Sequence, residues 1–213
     1  MLNFEKPIYK ITEYIENNNF GKFELEPLER GFGTTIGNAL RRVMLSSMPG
    51  SAIVAIRIDG VMHEFQTIDG IVEDVTTIVL NLKNVVVKNL TEETKELHLS
   101  VSEEGVVTAG DIKTDSDVEI INKDQVIATI SKAGKLDMDL IVSNGRGYVP
   151  SVDNKKFIEG NKIGFIPIDA LYSPVERVSY EIENARVGQD ANYDKLIMNV
   201  QTNGCLLYTS DAA

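Results

Sequence analysis

Between a glycine-broken loop, Arg30-Gly31-Phe32-Gly33-Thr34-Thr35, and the stop Pro49-Gly50 lies a stripe of apolar residues that only a helix aligns. Ile36, Leu40, Val43, Met44 and Ser47 fall at i, i+4, i+7, i+8 and i+11. Thr34 or Thr35 is placed to N-cap this helix, which is predicted over 36–47, and Pro49 cannot continue it. A second stripe, Ile71, Val72, Val75, Ile78, Val79 and Leu82, predicts a helix over 71–83, with Glu73 and Asp74 suited to its positive end. Burying those six side chains is worth on the order of 10 kcal/mol gross, so that face must meet a core or a partner.

Elsewhere the apolar period is two. Strands are predicted at 8–14 and 20–26 around the turn-like Asn17-Asn18-Asn19, and at 52–58, where Ala52, Val54, Ile56 and Ile58 alternate. Asp59-Gly60 reads as a hairpin turn returning through Val61 to Phe65. Further strands fall at 97–101, 118–121, 126–130, 136–142, 165–168, 178–182 and 196–200. Gly145 to Pro150 reads as a loop, and the stretch from there to Lys162 as a polar segment. Few helices among many strands make an α+β, strand-rich fold.

The charge balance narrows the function. Thirty-two acids against 21 bases leave −11, which argues against sequence-independent DNA binding by the whole surface. Residues 1–50 are balanced, six bases against six acids, so Arg41-Arg42 sits in the least acidic part of the chain. One Cys and two His build neither a disulfide framework nor a structural zinc site. No run approaches the ~18 apolar residues of a membrane span, and the start lacks the order of a secretory signal. A soluble, cytoplasmic protein without cofactor or membrane contact is expected.

Gly31-x-Gly33-x-x-x-Gly37 opens a helix, the context of a phosphate loop, but Ile36 stands where a dinucleotide fingerprint has its third glycine. Close packing of a tight turn is the plainer reading. A small nucleotide- or phosphate-binding domain is the alternative. Asp137 and Asp139 lie opposite the apolar set of their strand and read as a solvated face, as do Asp115, Asp117 and Glu119. His63, His98 and Cys205 have no partner at catalytic spacing, and Met44 and Met48 read as core or interface fill. Arg41-Arg42 reads either as two solvated charges or as a multi-donor anchor in a protein interface.

The run Glu26-Pro27-Leu28-Glu29-Arg30-Gly31-Phe32-Gly33-Thr34-Thr35-Ile36-Gly37-Asn38-Ala39-Leu40-Arg41-Arg42-Val43-Met44-Leu45-Ser46-Ser47-Met48-Pro49-Gly50 resembles the signature of the bacterial RNA polymerase alpha subunit. Ile58-Asp59-Gly60-Val61-Met62-His63-Glu64-Phe65, Gly145-Arg146-Gly147-Tyr148-Val149-Pro150 and Tyr172-Ser173-Pro174-Val175-Glu176-Arg177-Val178 fit the same family. The resemblance runs in order over about residues 4–204.

It implies a non-catalytic assembly scaffold of DNA-directed RNA polymerase, a nucleotidyltransferase complex, that forms a homodimer and takes up the β and β′ subunits for transcription. Residues 1–48 and 165–204 would form the dimerisation subdomain, and 49–164 a mostly-β insert. Carried onto this sequence, the resemblance gives Ile36, Leu40 and Val43 to the dimer interface. It gives Arg42 and Leu45, with Arg41 beside them, to β, and Lys83 and Ile168 to β′. No catalytic residue or metal ligand is implied. A free-standing β-rich adaptor is a third reading, separated only by its partners.

After Thr202-Asn203-Gly204 the family continues into a long helix that packs in the dimer, then a linker and a DNA-binding domain. Residues 205–213, Cys205-Leu206-Leu207-Tyr208-Thr209-Ser210-Asp211-Ala212-Ala213, depart from that pattern. The expectation is no direct DNA contact and a weakened dimer, with apolar surface around Ile36, Leu40 and Val43 left partly uncovered.

Overall fold

The structure is a computed structural model that describes residues 6–15, 19–132, 134–158, 164–188 and 190–206. Asn17 and Asn18 of the expected turn, the end of the polar segment at 159–162, and 207–213 of the divergent tail lie outside the described residues. In chain order the elements are β1 (Ile8–Ile15), β2 (Phe20–Glu29), α1 (Phe32–Ser47), β3 (Pro49–Ile58), α2 (Val75–Leu82), β4 (Val87–Asn89) and β5 (Lys95–Val101). They continue with β6 (Gly105–Thr108), β7 (Val118–Ile120), β8 (Val126–Ile130), β9 (Leu136–Arg146), β10 (Tyr148–Val149) and α3 (Ser151–Ile158). β11 (Ile166–Pro167), β12 (Ala170–Leu171), β13 (Val175–Val187) and β14 (Asp190–Thr202) close the chain. The fold is α+β and strand-rich.

The chain divides into two compact units, one of residues 1–48 with 173–213, the other of 49–172. Residues 165–172, expected in the first unit, belong to the second. The physical reason is pairing: Ile166 and Pro167 lie opposite Ile56 and Ala55, and Ala170 and Leu171 opposite Val149 and Tyr148.

The first unit is an antiparallel sheet in the order β1-β2-β14-β13 with α1 against one face. Leu28, Val175, Val178, Leu196, Met198 and Val200 form its core, and Ile36, Met44 and Leu45 of α1 pack on it. The helix starts at Phe32, earlier than the threonines suggested. Gly31 is its N-cap, with a left-handed φ of 88° that suits glycine, and no side chain of its own caps the turn.

The second unit has a four-stranded sheet, β11-β3-β9-β5, and three two-stranded ladders, β10-β12, β4-β7 and β6-β8. Leu136, Met138, Leu140 and Val142 alternate into the main core as their spacing predicted. β3 does not keep its predicted phase. Ala52 and Val54 enter one core cluster while Ile56 and Ile58 enter the other, because a bulge between Ile53 and Ala55 inverts the alternation.

α2 begins at Val75 rather than at Ile71, since the Asp74 carboxylate accepts the Thr77 amide at 2.8 Å and caps it there. Val75, Ile78 and Leu82 are buried, whereas Val72, outside the helix, is 70% exposed. No strand returns through Val61 to Phe65. The Gln66 side chain takes the amides of Met62 and His63, and Thr76 donates to the Glu64 carbonyl at 2.8 Å, so this segment folds as a pinned loop. Gly145 and Arg146 extend β9 instead of forming a loop. A ring carbon of Tyr172 lies 2.7 Å from where a Cβ on Gly145 would stand.

Candidate subunit interfaces

α1 approaches its sheet through its glycines. A Cβ on Gly37 would stand 2.7 Å from the Tyr180 ring and 2.9 Å from a Leu196 methyl, so glycine there lets helix and sheet touch. At the N-terminus of α1, Oδ2 of Asp194 accepts the Gly31 amide at 2.8 Å and the Gly33 amide at 3.3 Å. The anion position at the head of this helix is therefore filled from within the chain. That is what the glycine pattern serves here.

The predicted stripe on α1 divides in two. Ile36 and Met44 turn into the core, but Leu40 is 39% and Val43 54% exposed, and Phe32 at the helix start is 53% exposed. Successive helical steps of 100° put Phe32, Ile36, Leu40 and Val43 within an 80° arc beside the core-facing side. The sheet carries the apolar surface further. Tyr9 and Ile11 of β1 pair with Leu25 and Phe23, hence stand on the helix-bearing face, and both are exposed. The helical stripe could not reveal these two, because they lie on a separate strand.

Arg41 and Arg42 are exposed, while Leu45 is half-buried against the core, its carbonyl accepting from Ser173 Oγ at 3.3 Å. Arg42 and Leu45, given one role by the resemblance, thus meet different surroundings on one helix.

In the second unit Lys83 and Ile168 come together through a residue the sequence did not single out. Lys83 is the C-cap of α2, and its Nζ donates to Asp169 Oδ2 at 2.8 Å. Asp169 Oδ1 accepts the Ser151 amide, also at 2.8 Å, at the start of α3. The Lys83 hydrogen bond and then the Ser151 amide hold the Asp169 carboxyl down at about 2, against the opposing effect of burial. Ile168 itself is only 3% exposed. Asp169 carried no local signal because Lys83 is 86 residues away.

Of the carboxylates read as a solvated strand face, Asp115 and Glu119 are exposed, but Asp117 is held by Lys95 at 2.6 Å and Asp137 and Asp139 are engaged as well. His98 Nδ1 is 2.8 Å from Asp139 Oδ1, Arg57 donates to Asp139, and Lys135 is 2.8 Å from Asp137. Burial pushes the Asp139 carboxyl up, but hydrogen bonds from His98 and Arg57 outweigh it and leave it below the usual range. Arg57 also lies over the Phe165 ring, 5.1 Å from its centre. Cys205 is buried, and Met44 and Met48 pack on the core of the first unit. Among the described residues no group of three or more His, Cys, Asp or Glu could hold a metal ion, and no helix is long and apolar enough to cross a membrane.

Residues 55–173, which coincide with nearly all of the second unit, match the family model described as the RNA polymerase Rpb3/RpoA insert domain. The chain is 54% identical over 206 residues to the DNA-directed RNA polymerase subunit alpha of Oceanobacillus iheyensis, and 52% identical over 206 residues to that of Macrococcus caseolyticus. Each alignment covers 97% of this chain and 65% of the relative, so the chain spans just under two thirds of their length. With more than half of its residues under that family model, the chain belongs to the RNA polymerase Rpb3/RpoA insert-domain family, alongside the RNA polymerase alpha subunits it resembles.

Proposed function

We propose that this chain is a non-catalytic assembly scaffold of bacterial RNA polymerase in the cytoplasm, pairing with a second copy and taking up the β and β′ subunits. The observation that carries the reading is the exposed apolar arc of Phe32, Leu40 and Val43 on a helix whose other side is firmly packed. Large apolar side chains held outward on a rigid element gain most by meeting another protein. In this reading the unit built around α1 dimerises, and Arg42 with Arg41 and Leu45 forms the contact to β. Lys83, with Ile168 in support, serves β′. Arg suits such a contact because its planar guanidinium offers five donors at once. The proposal assigns neither DNA contact nor chemistry to these residues.

Sedimentation velocity of the chain alone, with β, and with β and β′ together tests it. A species of two copies that binds β and then β′ is expected. A chain that captures neither subunit, whether monomeric or dimeric, would sink the proposal.

A further inference from the structure

We infer that Asp169 is the positioning residue of the β′-docking surface, an inference that rests on the assembly reading above. Ile168 is almost wholly buried, so it cannot be a direct anchor. Its main chain is held instead: its amide donates to the Val54 carbonyl at 2.9 Å, and its carbonyl accepts from Asn154 Nδ2 at 2.7 Å. Those two bonds fix the point at which the chain delivers Asp169. From there the carboxylate reaches the end of α2 through Lys83 and the start of α3 through the Ser151 amide. Three segments distant in sequence are tied at one carboxylate.

The consequence is a lysine with a defined address. A free Lys side chain loses rotamer freedom when a partner immobilises it, and an ammonium already held to Asp169 has lost much of that beforehand. Lys83 has three donors, and its side chain is still about one third exposed, 32%. It therefore presents further N–H groups outward at a fixed place, to be met by an oxygen acceptor on β′. Two residues beyond Asp169, Leu171 stands opposite Tyr148 across the β10-β12 ladder, and both are exposed, so the same segment also offers an apolar pair.

The test is β′ capture by the 213-residue chain already loaded with β, using D169N, K83M and the double variant. Asn at 169 keeps an oxygen for the Ser151 amide and removes the charge that holds Lys83, while Met at 83 keeps the aliphatic stem. Each single variant is expected to weaken β′ capture about tenfold with β capture unchanged, and the double variant to be no weaker than either single one. The inference is overturned if D169N captures β′ as the wild type does, if the two losses multiply to about a hundredfold, or if β capture falls in step. A wild-type chain that captures β but no β′ removes the β′ reading and this inference with it. A wild type that captures β′, matched by D169N, removes the inference alone.

Discussion

The carboxylate of Asp194, on β14, sits on the main-chain amide of Gly31, 2.8 Å away, and the same oxygen reaches the Gly33 amide. A residue 163 positions along the chain therefore does the work of an N-cap. Replacing it with Ala leaves two amides at the head of α1 without that acceptor, and we expect a loss of about 1–2 kcal/mol, read as a lower midpoint in urea unfolding. The same geometry predicts that phosphate or ATP, at roughly 10 mM, leaves the wild-type melting temperature unchanged, because bound ligand would raise it by linkage. A rise with added anion would mean the loop is open after all.

Gly37 makes the second stability prediction. Ala is the better helix former by about 1 kcal/mol, so on propensity alone Gly37→Ala should stabilise α1. Its Cβ would stand 2.7 Å from the Tyr180 ring, which cannot yield as a flexible chain end does. Overpacking of this kind costs about 1–3 kcal/mol and should win. Chemical denaturation of the variant decides the sign, and a more stable Gly37→Ala would show that the helix can lift off the sheet cheaply.

Local pattern carried much of the fold. Leu136, Met138, Leu140 and Val142 entered the core as their alternation implied, and the 3.6-residue period found both α1 and α2 while misplacing their starts, which lie at Phe32 and Val75. What pattern could not carry was any feature made by a partner distant in sequence. The bulge that inverts β3 between Ile53 and Ala55 arises from its register against β9, and no residue type there announces it. α3 was hidden in a polar stretch whose weak apolar stripe gave little period to read. Asp194 reaches Gly31 across 163 residues, and Asp169 reaches Lys83 across 86. The glycines of the Gly31 to Gly37 loop were visible, yet their purpose was not, because Asp194 and Tyr180 supply it from the far end of the chain.

Acid should weaken the Lys83–Asp169 tie. The Asp169 carboxyl is held at about 2 in the folded protein, by Lys83 first and the Ser151 amide second, below the roughly 3.9 of an unfolded Asp. The unfolded chain then binds the proton more readily, so the stability this group contributes is complete above about pH 4 and drains as pH falls towards 2. The ceiling is about 2.6 kcal/mol, and solvent screening at a partly exposed pair brings it nearer 1. Asp137 and Asp139 are lowered as well and act in the same direction. Urea midpoints of wild type and Lys83→Met across that pH window check this. The variant should lose less stability on acidification, and identical slopes would assign the acid sensitivity to other carboxylates.

Arg42 and Leu45 should separate binding from folding. Arg42 is exposed, so Arg42→Ala is expected to melt like the wild type while β capture weakens by ~2 kcal/mol or more, about thirtyfold, as an anchor truncation does. Leu45 packs on the core, so Leu45→Ala should lower stability as well, by about 1–3 kcal/mol for a half-buried leucine. Melting and β pull-down on the two variants side by side check the pair. An Arg42→Ala chain that stays folded and captures β fully would leave Arg42 as a solvated charge.

The exposed arc on α1 makes the last prediction. Leu40 and Val43 keep 39% and 54% of their surface open, whereas Ile36 beside them is packed on the core. Glu at both exposed positions removes the apolar surface and places two like charges on any copy that meets it. The fold itself loses little, since neither side chain is needed to fill the core. We expect the double variant to keep the wild-type circular dichroism and a melting temperature within a few degrees, and to sediment as a monomer where the wild type self-associates. Ile36→Glu is the contrasting case, because a charge pressed on that core should cost several kcal/mol and unfold the unit. If the Leu40 and Val43 double variant self-associates as the wild type does, the contact between copies lies elsewhere, and the exposed Tyr9 and Ile11 on the edge strand become the surface to alter next.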